Sequence, residues 1–282
     1  MKELTIIMTE LFANADHNWT PDGTKPPQWV VLELSQKFQS QAEDGTIIGY
    51  PQYDSALDDT VTSQYQGAWQ RALDQYYLQD TKIFDFWADT HIANHQVSHV
   101  QHVLYFATVM AYLAHLDAKD SLILQLAACF HDIGRRNGGI DPTHGRLAVE
   151  RLYQHYKLAP DGDVAQFAQA FSLQSMVLVN SKSEVPMPEL RQNDVHVLLD
   201  IIQYHSLDDR QAQADFSQRY NDRAAQRRLR LLGLFKDCDA LDRLRFAGNL
   251  DVHYLRHRNA RCLIARSAVL NGLVQPQDFA LV

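Results

Sequence analysis

Cysteine is scarce in this chain. Its 282 residues hold three, Cys129, Cys238 and Cys262, with no paired spacing. That argues against a disulfide framework or a cysteine-ligated zinc ribbon and for a reducing compartment. No apolar run reaches the roughly 18 residues of a membrane span. The N-terminal stretch carries a lysine and an Ala-x-Ala ending, but Thr5, Thr9 and Glu10 break its apolar core. A secretory signal is therefore not expected. A glycine-rich phosphate loop, a Gly-x-Ser-x-Gly elbow and a Cys-x-x-Cys pair are all missing, which leaves little support for serine or cysteine nucleophiles. Sustained apolar alternation is missing too, as are internal repeats and low-complexity runs. What these absences leave is an all-α protein, expected in the cytoplasm and away from membranes.

Charge is also unbalanced. The formal net charge of −8 argues against a stable nucleic-acid complex. Yet twelve basic and five acidic residues stand between Arg219 and Arg266. Most of these arginines read as solvated helix faces pairing with the acidic remainder; the functional alternative is that a few meet substrate phosphate.

Histidine is what the sequence does concentrate. His95, His99 and His102 fall at i, i+4 and i+7, on one face of a helix. A second apolar helix, Leu122 to Phe130, delivers His131 and Asp132 together just before Gly134 opens a turn. Neutral imidazoles and a carboxylate on stiff apolar supports are what a metal site requires.

These residues, in this order, resemble the HD metal-dependent phosphohydrolase superfamily. His131-Asp132-Ile133-Gly134-Arg135 is similar to the signature that names it, and His99-Val100-Gln101-His102-Val103 to its histidine helix start, with His102 where an arginine is common. Asp141 with His144-Gly145 looks like the Asp-x-x-His-Gly segment of one branch; Lys236 to Arg243 looks like the closing acidic helix. The resemblance spans roughly residues 91 to 260. It implies an irregular multi-helix bundle around a divalent transition metal (Mn, Fe, Co, Ni or Zn), one ion or two. It implies His99, His131, Asp132 and Asp239 as ligands, with Asp237 as the alternative distal carboxylate. Two-metal branches imply His144 and His205 on a second ion, with Asp132 bridging. The implied reaction is phosphoric ester hydrolysis, with a nucleotide first among small-molecule phosphate esters. Asp132, His95 and Arg135 are the candidate catalytic residues; of Arg135 and Arg136, which follow the turn, one could clamp an anionic substrate, with surface charge the alternative. Two alternatives stay open: a di-iron oxygenase on the same ligands, and a non-catalytic nucleotide-binding or regulatory module.

Along the chain, residues 1–93 read as an N-terminal helical extension packing on the core, with an aromatic stripe and no catalytic motif. It is also where an oligomer or partner surface could lie. Residues 94–282 read as the catalytic domain. Helices are expected from Asn94 to about His115, from a cap at Asp120-Ser121 to Asp132, from Thr143 to Tyr156, from Asp161-Gly162 to Val179, and from Pro188 to His205. Asp222 to Phe246 and Arg258 to Leu270 complete the set. Residues 208–222 are polar and give no clear pattern. His253 and His257, at i, i+4, read as a surface pair.

Overall fold

Helix α1 (Val97–Leu113) opens the part of the chain that this computed structural model describes, which comprises residues 97–136, 138–155, 188–246, 250 and 254–271. His95, the extension 1–93 and the helix expected at 161–179 lie outside the described residues. Among the described residues all regular structure is helical, as the missing alternation implied. No described helix is long and apolar enough to cross a membrane.

α1 ends where His115 takes a left-handed conformation, φ 50°, and the Leu116 N–H turns back to the Ala111 carbonyl at 3.0 Å. This is the closing hydrogen bond of a helix that stops on a left-handed residue. Helix α2 (Ala118–Phe130) follows at once. Its cap is Asp117, three residues before the expected one, whose carboxylate accepts the Asp120 N–H at 2.8 Å. Asp120 instead sits in the first turn, where a carboxylate suits the positive end of the helix dipole. Leu122, Ile123, Leu124, Leu126, Ala127, Ala128, Cys129 and Phe130 are all buried. A helix apolar nearly all round belongs in the middle of a bundle, and α2 packs on both α1 and α4.

Helix α3 (His144–His155) starts beside Asp141, whose Oδ1 accepts the Thr143 N–H and hydroxyl at 2.8 and 2.6 Å. The Thr143 contacts, foremost the hydroxyl, hold the Asp141 carboxyl below its ordinary value. Helix α4 (Gln192–Tyr204) begins four residues after Pro188, where Asp194 reaches back to the Arg191 N–H at 3.0 Å. The polar stretch without a clear pattern forms helix α5 (Asp209–Arg219), capped by Asp208. Helix α6 (Asp222–Leu241) continues into a 3-10 turn, Asp242–Phe246. The expected terminal helix is two pieces, α7 (Arg258–Cys262) and α8 (Ile264–Leu270).

The chain divides into two compact units, residues 62–235 and residues 1–61 with 236–282. In the first, α2, α4 and the front of α6 run parallel. At their starts, Arg227 donates to Asp120 at 2.9 and 2.7 Å and to Asp194 at 2.8 Å. Three turns on, His131 and His205 close α2 and α4 with ring centroids 5.2 Å apart, and the Phe235 ring lies 5.4 and 5.8 Å from them. The step from Asp120 to His131 equals the step from Asp194 to His205. One arginine therefore sets the register that brings the two histidines level. In the second unit, α8 packs on the 3-10 turn, and the Ser267 hydroxyl donates to the Leu241 carbonyl at 2.5 Å.

Candidate metal centre

Four histidines surround Asp132, and all five side chains are buried. His131 and His205 are the C-caps of α2 and α4, His144 begins α3 and His99 lies in the first turn of α1. Asp132 Oδ2 faces His99 Nε2 at 3.5 Å and His131 Nε2 at 3.6 Å. Its Oδ1 faces His144 Nε2 at 3.3 Å and His205 Nε2 at 4.0 Å. Each carboxylate oxygen thus looks at a different pair of imidazoles.

The backbone fixes the tautomers. His131 Nδ1 lies 3.0 Å from the Ala128 carbonyl, His205 Nδ1 lies 2.7 Å from the Ile202 carbonyl, and His144 Nδ1 bonds the Asp141 carbonyl. A carbonyl only accepts, so each Nδ1 carries the proton. In the neutral rings Nε2 is then a bare lone pair, which is the form that ligates metal. His144 and His205 aim two such lone pairs at each other across 2.7 Å. Without a cation or an added proton between them that contact is repulsive.

Distances test the fit to a cation. Metal–nitrogen bonds of about 2.0–2.1 Å put neighbouring ligand atoms about 3.0 Å apart at a right angle and about 3.4 Å apart in a tetrahedron. Asp132, His144 and His205 offer ligand atoms all within 4.8 Å of one another, and His99 Nε2 and His131 Nε2 are 3.2 Å apart. The carboxyl ends of α2 and α4 also carry negative partial charge toward this point. Donor type, spacing and field all suit one divalent cation at His144 and His205 and a second at His99 and His131.

Two glycines make the approach of α3 to its neighbours possible. A Cβ on Gly134 would meet the His144 carbonyl oxygen at 2.1 Å and the Ala148 nitrogen at 2.2 Å. On Gly145 it would meet the Ile202 carbonyl oxygen at 2.5 Å, the same atom that orients His205.

Arg135 is tied into the site. Its Nε donates to Asp132 Oδ1 at 2.9 Å and a terminal nitrogen to the Gly139 carbonyl at 3.1 Å. One of the two arginines read as a candidate phosphate clamp thus spends its charge on orienting the central carboxylate.

Asp237 and Asp239 separate cleanly. Asp237 is buried; its Oδ1 accepts the Arg256 N–H at 2.9 Å, and its Oδ2 accepts the His257 N–H and ring, both at 2.8 Å. It anchors the segment before α7. His257 is therefore hydrogen-bonded to Asp237 through both its backbone and its ring, and is not a plain surface residue. Asp239, half-buried, lies one turn past Phe235 on α6. His102 is half-buried on α1.

Sequence reasoning missed Arg227 and Arg151. Arg151 stands seven residues after His144, on the same face of α3, and donates to the Ile133 carbonyl at 2.5 Å. Helical spacing from His144 was the available signal for it. Arg227 left no such signal, because its partners are remote in sequence.

No protein-family model, curated protein or solved structure matches this chain.

Proposed function

We propose that the chain is a metal-dependent phosphohydrolase or phosphodiesterase acting on a small phosphate ester, a nucleotide first. The observation that carries this reading is the two-sided Asp132, each oxygen facing its own pair of histidines. Bound there, divalent cations would lower the pKa of water and polarise a phosphoryl oxygen. His131, His144 and His205 are aimed by their backbone carbonyls, which keep a proton on Nδ1 and turn Nε2 toward Asp132. Asp132 spans the two halves, and Arg135 keeps its Oδ1 in place. Asp239 completes the ligand set on the sequence resemblance.

The test is elemental analysis of the purified protein, in moles of metal per chain, beside phosphate release from a panel of nucleoside monophosphates. One to two equivalents of a divalent transition metal are expected, with turnover that Asp132→Ala abolishes while circular dichroism stays native. Turnover retained in that variant would overturn the assignment. A protein that takes up no metal from Mn²⁺ or Ni²⁺ would instead fit a non-catalytic module. The same shared carboxylate supports one other reading, a di-iron oxygenase. Two equivalents of iron with oxygen consumption, and no phosphate release, would select it.

A further inference from the structure

Two kinds of contact join α2 to α4, and only one of them fixes how far the helices have slid. Between Asp120 and His131 the buried residues of α2 are apolar, and Gln125 turns to the Thr108 hydroxyl of α1 at 3.3 Å. Between Asp194 and His205 the buried residues of α4 are apolar apart from Asp200 and Tyr204, which bond to Arg228 and Asp215. Apolar contact is non-directional and tolerates a slide. The polar contacts sit at the helix starts. One Arg227 nitrogen, Nη2, lies 2.7 Å from Asp120 Oδ1 and 2.8 Å from Asp194 Oδ1. Lys119 adds a longer bond to Asp194, 3.4 Å, from a more exposed side chain. Fixing a register is the best-attested use of such ionic groups.

That register matters to one half of the metal centre. Asp132 follows α2 and His205 caps α4, with Asp132 Oδ1 and His205 Nε2 4.0 Å apart. A cation they share holds its ligand distances to about 0.2 Å. The other pair, His99 and His131, joins α1 to α2 and does not involve α4. All of these residues belong to the unit 62–235. We infer that Arg227 is a positioning residue for the cation shared by Asp132, His144 and His205. It acts from about 16.5 Å along the helices, by holding α2 level with α4. This rests on the metal centre of the reading above and not on its reaction.

The experiment titrates Co²⁺ alone into the chelator-stripped full chain and follows its d–d absorption. Wild type is compared with Arg227→Met, Asp120→Ala and His205→Ala. His205→Ala identifies the ion in question, as the one it removes. Affinity for that ion should fall by about tenfold in Arg227→Met, the low end for losing a group that orients a metal ligand. Its absorption should change too, because the ligand geometry does. The ion at His99 and His131 should lose much less and is the internal control. A chain that had only become less stable would weaken both alike. Asp120→Ala cuts the bridge on the α2 side and leaves Arg227 paired with Asp194, so it decides the matter if Arg227→Met does not fold. Equal falls at both positions, an unchanged His205 ion, or no ion that depends on His205 would overturn the inference. Absent phosphate release, with the His205 ion still responding to Arg227, would instead fail the hydrolase reading alone.

Discussion

His144 and His205 hold their Nε2 atoms 2.7 Å apart, although both rings carry their proton on the opposite nitrogen. Filling the space between them with a cation replaces a repulsion by two bonds. Chelation should therefore lower the melting temperature, and saturating divalent metal should restore it. At a hundredfold excess over the dissociation constant the gain is about 2.7 kcal/mol per ion. His205→Ala should lower the metal content by one equivalent, measured by elemental analysis. Content unchanged in that variant would remove His205 from the ligand set.

Gly145 makes a second, sharper test of the same pair. The Cβ of Gly145→Ala would collide with the carbonyl that orients His205. Overpacking of this kind costs about 1–3 kcal/mol. The expected signature is loss of the ion at His144 and His205 with the other retained, seen as a drop from two equivalents to one. A variant that melts lower yet keeps both ions would make Gly145 a packing residue alone.

How much of this could be read from the sequence depends on the range of each interaction. His131-Asp132-Ile133-Gly134 was legible because the residues are contiguous and their apolar helix precedes them. The cap at Asp117 was expected three residues later, at Asp120, since several polar residues compete locally for a cap, and the break of the terminal helix at Leu263 was not anticipated. The choice between Asp237 and Asp239 needed the fold. Only the chain's return at 256–257 shows what occupies Asp237.

That return gives a paired prediction. Asp237→Ala should destabilise the protein, because it strands the Arg256 and His257 donors, and should leave metal content intact. The loss is about 1–3 kcal/mol, read from urea unfolding. Asp239→Ala should do the reverse and reduce metal content at nearly unchanged stability. Exchange of the two outcomes would assign the distal ligand to Asp237.

Asp194, held by Arg227, contributes a pH dependence to stability. Burial pushes the Asp194 carboxyl up, but the Arg191 N–H and the Arg227 guanidinium outweigh it and hold it below the ordinary value. A depressed carboxyl stabilises the fold above its unfolded pKa of about 3.9 and ceases to as pH falls through the folded value. The stability gap between wild type and Asp194→Asn should thus be constant from neutral to mildly acidic pH and close in strong acid. A gap that persists in strong acid would show that packing and not charge sustains it. Arg227→Met, which removes the guanidinium from Asp120 and leaves Asp194 only the Arg191 N–H and Lys119, should cost more, about 2–3 kcal/mol.

His115 offers a gain. A left-handed histidine costs about 1–2 kcal/mol that glycine does not incur. His115→Gly should raise the melting temperature by a few degrees, with metal content unchanged; a lower melting temperature would mean that the imidazole contributes more than the backbone loses.

Because one carboxylate serves both histidine pairs, the two cation positions are not thermodynamically independent. An ion taken up at His99 and His131 would change the charge that Asp132 offers the next ion. By reciprocity the second would change the affinity for the first by the same factor. Titration should therefore depart from the curve of two independent sites, and Asp132→Asn should alter uptake at both histidine pairs together.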